Sequence, residues 1–354
     1  MQTITVKAST SYPIYIENGL LQDCGALIAK LTTARRVCIV SDNIVDALYA
    51  DKAVNSLRNA GFDVEKFVFT NGEEQKSATT LFGIYDFLST HSFTRSDLLI
   101  ALGGGVVGDI TGFCAATYLR GVDFVQIPTT LLAQIDSSVG GKTGINIESG
   151  KNLVGAFKQP IGVICDPEVL STLPPQIFSD GIAEAVKYGM IHSAALFDKL
   201  NSDNVKDQLL DIITQCITIK RDIVERDEFD TGERMLLNFG HTVGHALERH
   251  YNYIGISHGQ AVAAGMCIIT KLAQGYGMCA QGLYDRLVEC LERYNLPTST
   301  DVEYSSLLEH CLHDKKRSGD MLNIILCKDV GDGNVVKLTV SEFEKFLFGR
   351  FSSQ

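Results

Sequence analysis

Asp97-Leu98-Leu99-Ile100-Ala101-Leu102-Gly103-Gly104-Gly105 is the stretch on which the fold turns. An apolar run passes straight into clustered glycines, which reads as a buried strand ending in a turn that opens a helix. Upstream the alternation repeats. Arg36-Val37-Cys38-Ile39-Val40-Ser41-Asp42 reads as a short buried strand with a polar end, and 44–60 as a helix closed by Gly61. Phe62–Phe69 is the next strand and Thr79–His91 an amphipathic helix. Strand, helix, strand, helix, strand predicts a Rossmann-like α/β domain, a parallel sheet with helices on both faces. Ligands of such sheets collect at the carboxyl ends of strands, here Asp42 and Gly103–Gly105.

The pattern changes after about Pro160, where Pro167, Pro174 and Pro175 punctuate a connection. From Phe178 to about Tyr294 the periodicity is mainly helical, with Val205–Asp227 and Gly259–Tyr276 as long candidates. The expected organisation is an α/β domain over 1–160 and a mainly α-helical domain over 161–354, with a site in a cleft between domains. At 354 residues each half can bury a sizeable core.

A net charge of −11 argues against an electrostatic grip on nucleic acid or anionic membrane. Met1–Lys7 lacks the apolar centre of a secretion signal, and no run is long enough to span a bilayer. The ten cysteines are scattered with no Cys-x-x-Cys pair, as expected of reduced, buried thiols. A soluble, cytoplasmic protein is the expectation.

Gly103-Gly104-Gly105-Val106-Val107-Gly108-Asp109 lets a backbone approach a pyrophosphate at a helix N-terminus. A tight structural turn is the competing reading. Asp42 could bond a ribose hydroxyl, and Asn71-Gly72-Glu73-Glu74-Gln75-Lys76 adds a polar turn after the next strand. Three polar strand ends together favour a nicotinamide-type nucleotide. Asp136–Gly144 and Gly150–Gly155 carry Lys142, Lys151 and Asn152 among glycines. The glycine spacing before Lys142 is wrong for a nucleoside-triphosphatase, but lysine and backbone donors suit a small phosphorylated ligand. Arg120 is a further candidate for anion binding, or a surface guanidinium.

Four of the eight histidines are His241, His245, His250 and His258. On a helix His241 and His245 share a face and can hold a borderline-soft divalent metal such as zinc. A catalytic zinc takes three protein ligands and an open position, so His258 or a carboxylate is needed as well. The best carboxylate is Glu184, in Asp180-Gly181-Ile182-Ala183-Glu184-Ala185-Val186-Lys187-Tyr188-Gly189. A surface pair with Lys187 would be worth only about 0.2–0.5 kcal/mol. The small apolar neighbours argue instead that this face is packed and that both charges need partners.

Seven segments in order resemble the 3-dehydroquinate synthases of the sugar phosphate cyclase family. They are Gly103–Asp109, Arg120–Thr130, Asp136–Gly144, Lys151–Phe157, Ala183–Gly189, Asn238–Glu248 and Asp314-Lys315-Lys316. The resemblance runs from about Asp42 to Lys316. It implies a lyase that turns 3-deoxy-D-arabino-heptulosonate 7-phosphate into 3-dehydroquinate and phosphate, with NAD as a returning cofactor and zinc or cobalt. Oxidation at C5 would acidify the C6 proton so that phosphate leaves. Reduction, ring opening and an intramolecular aldol would follow.

Residue by residue, the resemblance makes Glu184, His241 and His258 the metal ligands. His245 then becomes an acid/base or substrate-orienting group. Lys142, Asn152 and, from a partner subunit, Arg120 would hold phosphate. Lys187, Lys220, Arg234, Asn238 and one of Lys315 and Lys316 would meet the substrate carboxylate and hydroxyls, with Asp136 a further contact. NAD would lie on Asp42, on Asn71, Gly72, Glu73, Glu74, Gln75 and Lys76, and on Gly104, Gly105, Val106, Val107, Gly108 and Asp109. Thr129, Thr130, Lys142 and Lys151 complete its contacts, with Thr172 and Leu173 nearby. A homodimer is implied.

The chain departs from the family pattern at Gln260, where glutamate is common, and at Lys158 and Asn71. The rivals are a cyclase acting on glucose 6-phosphate and a metal-dependent polyol dehydrogenase, which would release NADH. The converging cations favour a carboxylate-bearing phosphorylated substrate.

Overall fold

A computed structural model describes residues 1–313 and 321–349, so Lys315 and Lys316 lie outside the described residues. The chain divides into two compact units, Met1–Pro174 with Lys220–Phe229, and Pro175–Ile219 with Asp230–Gln354. The break thus falls at Pro174–Pro175, later than residue 160, and a later segment returns to the first unit.

The first unit contains β1 (Gln2–Lys7), β2 (Ser11–Ile16), α1 (Cys24–Ile28), β3 (Arg36–Asp42), α2 (Asn43–Val45), α3 (Asp51–Asn59) and β4 (Asp63–Phe69). It continues through α4 (Ala78–Thr90), β5 (Leu98–Gly103), α5 (Gly105–Thr117), β6 (Asp123–Pro128), β7 (Lys142–Ile147), β8 (Gly150–Phe157) and β9 (Gly162–Cys165). Seven strands form one sheet in the order β1-β2-β9-β6-β5-β3-β4. β1 pairs antiparallel with β2, and all other neighbours in the sheet are parallel. Alternate residues of β3 and β5 enter different cores, which explains their unbroken apolar sequence. Val37, Ile39, Leu98 and Ile100 pack on one face, and Cys38, Val40, Leu99 and Ala101 on the other.

From β3 the chain moves outward to β4, then back past β3 to β5. The order reverses between β3 and β5, and a ligand crevice opens at the carboxyl ends of such a pair. The predicted strand ends at Asp42 and Gly103 therefore sit together at the switch point. Two features were not expected. The β1–β2 hairpin extends the sheet, and the glycine-rich phosphate-loop candidate is an antiparallel hairpin, β7 on β8.

The second unit contains α6 (Pro175–His192), α7 (Ala194–Leu200), α9 (His241–His250), α10 (His258–Gly275), α11 (Leu283–Glu292), α12 (Tyr304–His313), β10 (Met321–Cys327), β11 (Gly333–Thr339) and α13 (Val340–Leu347). Between α7 and α9 runs α8 (Leu209–Arg226), whose residues from Lys220 onward belong to the first unit. The second unit is mainly helical, with an unforeseen antiparallel hairpin, β10 on β11. Among the described residues no helix is long and apolar enough to cross a membrane.

Candidate active site

At the switch point Asp42 has a structural task. Its Oδ1 accepts from the amides of Ile44 and Val45, both at 2.9 Å, and so caps the helix that follows β3. Gly104 and Gly105 open α5 with no side-chain cap over its first amides. A Cβ on Gly104 would lie 3.0 Å from Thr130 Cγ2, and one on Gly108 would lie 2.7 Å from Gln126 Oε1. Glycine keeps this helix start close to β6 and bare, the form that receives a pyrophosphate. Val106 and Val107 face inward; Val107 belongs to the core beside the sheet. Thr129 donates its amide to the Gly103 carbonyl at 3.0 Å, placing Thr129 and Thr130 at the same end.

The turn 71–76 joins this cluster through Lys76. The Lys76 ammonium is buried, 2.5 Å from Asp109 Oδ2 and 2.5 Å from Asn152 Oδ1. Burial opposes its charge, but Asp109 and Glu73 outweigh that and hold the ammonium above its ordinary pKa. Asn146 ties the remaining pieces together. Its Nδ2 donates to Glu73 Oε1 at 2.8 Å, and its Oδ1 accepts the Asn152 amide at 2.9 Å. Asn71 donates its amide to Asn43 Oδ1, Gln75 Oε1 accepts from Thr80, and Gly72 has φ 129° with Glu74 folded beside it.

On the hairpin, Lys142 is exposed at the start of β7, with Lys151 and Asn152 on β8. Asn152 holds φ 56°, a left-handed conformation. Arg120 is exposed on a tight turn with φ 68°, before Gly121 at φ 131°. Thr172 meets the Tyr49 hydroxyl at 2.6 Å beside Leu173. Lys220 and Asp136, distant in sequence, are joined: Lys220 Nζ lies 2.6 Å from Asp136 Oδ1 and 2.5 Å from its carbonyl.

In the second unit the proposed ligands come from three helices. Glu184 and Lys187 are one turn apart on α6, both buried, and form an ion pair. Packing without side chains draws α9 and α10 together. A Cβ at Gly265 would lie 2.2 Å from the Gly240 carbonyl oxygen, and one at Gly244 would lie 3.1 Å from Ala261. Gly240 also holds φ 79°, where glycine alone is unstrained. His241 starts α9 and His258 starts α10, so this close approach sets the two imidazoles side by side.

His241 Nε2 is 3.4 Å and His258 Nε2 is 3.3 Å from Glu184 Oε1. The ligand atoms of all three residues lie within 4.8 Å of one another. Two imidazoles and a carboxylate are the donors of a catalytic zinc site, so the residues fit a metal. The bare, glycine-lined helix start likewise fits a dinucleotide. Burial pushes His241 down to about 3, leaving the neutral imidazole that a metal requires. Burial also opposes charge on His258, but hydrogen bonding and attraction from Glu184 and Glu248 win and raise it to about 10. A metal would displace that proton.

His245 is exposed and stands outside the triad, its ring centroid 5.3 Å from that of His241 and 6.2 Å from that of His258. Arg234 is buried and Asn238 exposed on the turn Glu233–Asn238. Gln260 has a structural task at the start of α10. Its Oε1 accepts the Ser257 amide at 3.1 Å while Ser257 Oγ accepts the Gln260 amide, a capping box that fixes the start of α10. Sequence reasoning missed Glu248 and Asp180. Asp180 Oδ1 receives the Ser257 hydroxyl at 2.5 Å, and its one signal was its place a turn before Glu184.

Residues 66–180 match the 3-dehydroquinate synthase N-terminal family and 181–317 the 3-dehydroquinate synthase C-terminal family. A 3-dehydroquinate synthase of Clostridium acetobutylicum is 43% identical over 353 residues, 98% of this chain and 99% of that protein. Among solved structures, 2-deoxy-scyllo-inosose synthase complexed with carbaglucose-6-phosphate, NAD+ and Co2+ superposes with a TM-score of 0.87 at 26% identity, covering 98% of this chain and all of that one. A 2-epi-5-epi-valiolone synthase from Streptomyces hygroscopicus with NAD+ and Zn2+ gives 0.86 at 26%, covering 98% of each chain. Matched along both halves and nearly end to end by a relative of known name, the chain belongs to the 3-dehydroquinate synthase family.

Proposed function

We propose that the chain converts 3-deoxy-D-arabino-heptulosonate 7-phosphate into 3-dehydroquinate and phosphate, the second step of the shikimate route to aromatic amino acids. The observation that carries this reading is the Glu184–His241–His258 set in a chain 43% identical to a 3-dehydroquinate synthase over nearly its whole length. NAD would take and return a hydride, and zinc or cobalt on Glu184, His241 and His258 would polarise the oxygen it meets; relatives of the fold are solved with NAD+ and Co2+ or Zn2+.

Gly104, Gly105 and the first turn of α5 would receive the NAD pyrophosphate. Asp42, residues 71–76, Asp109, Thr129, Thr130, Lys151, Thr172 and Leu173 would frame the rest. Lys142 and Asn152 would hold the substrate phosphate, and Lys76 keeps Asn152 in place through its side-chain oxygen. Lys187, Lys220 and Arg234 are buried cations, held by the fold before substrate arrives, and suit a carboxylate and hydroxyls. Asn238 and one of Lys315 and Lys316 would add contacts. Asp136 would orient Lys220, and His245, exposed beside the triad, would move a proton or orient the substrate. Arg120, on an exposed turn, is free of the core and suits a partner subunit's phosphate, which makes a homodimer the working assembly. Ten cysteines with no disulfide suit the reducing cytoplasm.

Phosphate release from the heptulosonate phosphate is the test, with NAD present and absorbance followed at ~340 nm for the nicotinamide. Release without NADH accumulation, stopped by a chelator and restored by zinc or cobalt, is expected. Accumulating NADH would identify a dehydrogenase instead, and turnover of glucose 6-phosphate alone would identify another cyclase.

A further inference from the structure

We infer that Glu248 is a positioning residue for the metal site, its carboxylate fixing the tautomer and ring plane of His258. The inference rests on the reading of Glu184, His241 and His258 as metal ligands. Glu248 lies seven residues after His241, two turns along the same face of α9, and is 3% exposed. Its Oε2 stands 3.5 Å from His258 Nδ1, while His258 Nε2 faces Glu184.

An imidazole binds a metal through one nitrogen only when the other carries the proton, so the group opposite Nδ1 selects the tautomer. His241 has that arrangement already, with Nδ1 donating to the Phe239 carbonyl at 3.1 Å. At His258 the group facing Nδ1 is a side chain, the Glu248 carboxylate; His258 is the first residue of α10, and its side chain is 32% exposed. With Nε2 directed at Glu184 and Nδ1 at Glu248, the ring is held at both nitrogens, and Glu248 supplies the constraint on the Nδ1 side. A buried carboxylate is costly unless partnered, and a pure packing role at this position would be met more cheaply by an apolar residue. One helix therefore carries both a ligand, His241, and the group that aims the ligand arriving from α10.

The test compares the parent with Glu248→Gln, Glu248→Leu and His258→Ala. Zinc affinity is measured by chelator competition, the visible spectrum of the cobalt-loaded protein reports coordination geometry, and the melting temperature of metal-free protein reports folding. Glu248→Leu should lose roughly 10- to 100-fold in zinc affinity and shift the cobalt bands. Glu248→Gln keeps an acceptor but loses the charge, and its affinity should fall roughly tenfold. Metal-free melting shows whether the Gln variant remains folded. Parent-like zinc affinity and an unchanged cobalt spectrum in Glu248→Gln overturn the inference, even if the Leu variant does not fold. A parent that binds no zinc, or a His258→Ala that binds as tightly as the parent, overturns the metal site itself and the inference with it.

Discussion

Gly259 packs on the backbone of Asp180, so closely that a Cβ at Gly259 would lie 2.3 Å from Asp180 Cα. Glu184 follows Asp180 by one turn of α6, and His258 precedes Gly259 at the start of α10. The contact therefore sets the separation of two proposed metal ligands. Gly259→Ala forces backbone apart from backbone, with no flexible side chain to yield. It should cost about 1–3 kcal/mol in thermal unfolding and weaken zinc binding as well. A variant with parent melting and parent zinc affinity would show that the helix start has slack.

The Lys76–Asp109 pair is expected to behave as a buried ion pair. Lys76→Ala leaves the Asp109 carboxylate without its nearest cation and also releases Asn152. Removing one partner of such a pair costs about 3–5 kcal/mol, whereas an apolar replacement of both is often near neutral. Urea unfolding should show Lys76→Ala much less stable than Lys76→Met with Asp109→Leu. Equal losses in the two variants would mean that the charges are not coupled.

The parallel sheet was legible because β3 and β5 are buried on both faces, which writes an unbroken apolar run ending in polar or glycine residues. The β7–β8 hairpin was not, because Leu153, Val154 and Phe157 of β8 are exposed while Thr143, Gly144 and Ile145 of β7 are buried in succession, so neither strand alternates. At the site, local spacing pointed to His245 as the partner of His241, and only the family resemblance replaced it with His258. The physical reason lies in packing that spacing cannot express: Gly240, Gly244 and Gly265 bring α10 against α9, and His258 arrives from across that contact. The approach of Glu248 to His258 was invisible for the same reason, since the two stand on different helices.

The cysteines should be inert in the native protein. Nine are buried and Cys279 is intermediate, among ten free thiols. Burial raises Cys24 to about 11 and Cys38, Cys267 and Cys290 to about 12, so their reactive thiolates are scarce at neutral pH. Folded thiols thus keep protons that unfolded ones, with a reference value of 9.0, release. Their contribution to stability is intact below pH 9.0 and is lost as pH climbs through 11 to 12. Titration with a coloured disulfide reagent should find Cys279 first in native protein and all ten in denaturant. Rapid reaction of several thiols in native protein would contradict the burial.

Lys142 separates chemistry from folding most cleanly. Its side chain is exposed at the start of β7, so Lys142→Ala should change stability by about 0.5 kcal/mol or less. The proposed role, holding the substrate phosphate as a point charge, is lost completely in that variant. Phosphate release should fall by at least about 100-fold if roughly 3 kcal/mol of charge-assisted binding acts on the departing group. Lys142→Arg keeps the charge but spreads it over a planar fork, and should recover part of the rate without reaching the parent. Melting curves and steady-state phosphate release on the same preparations decide the matter. Near-parent turnover in a folded Lys142→Ala would remove Lys142 from the phosphate site, and a collapsed melting curve would assign it to the fold instead.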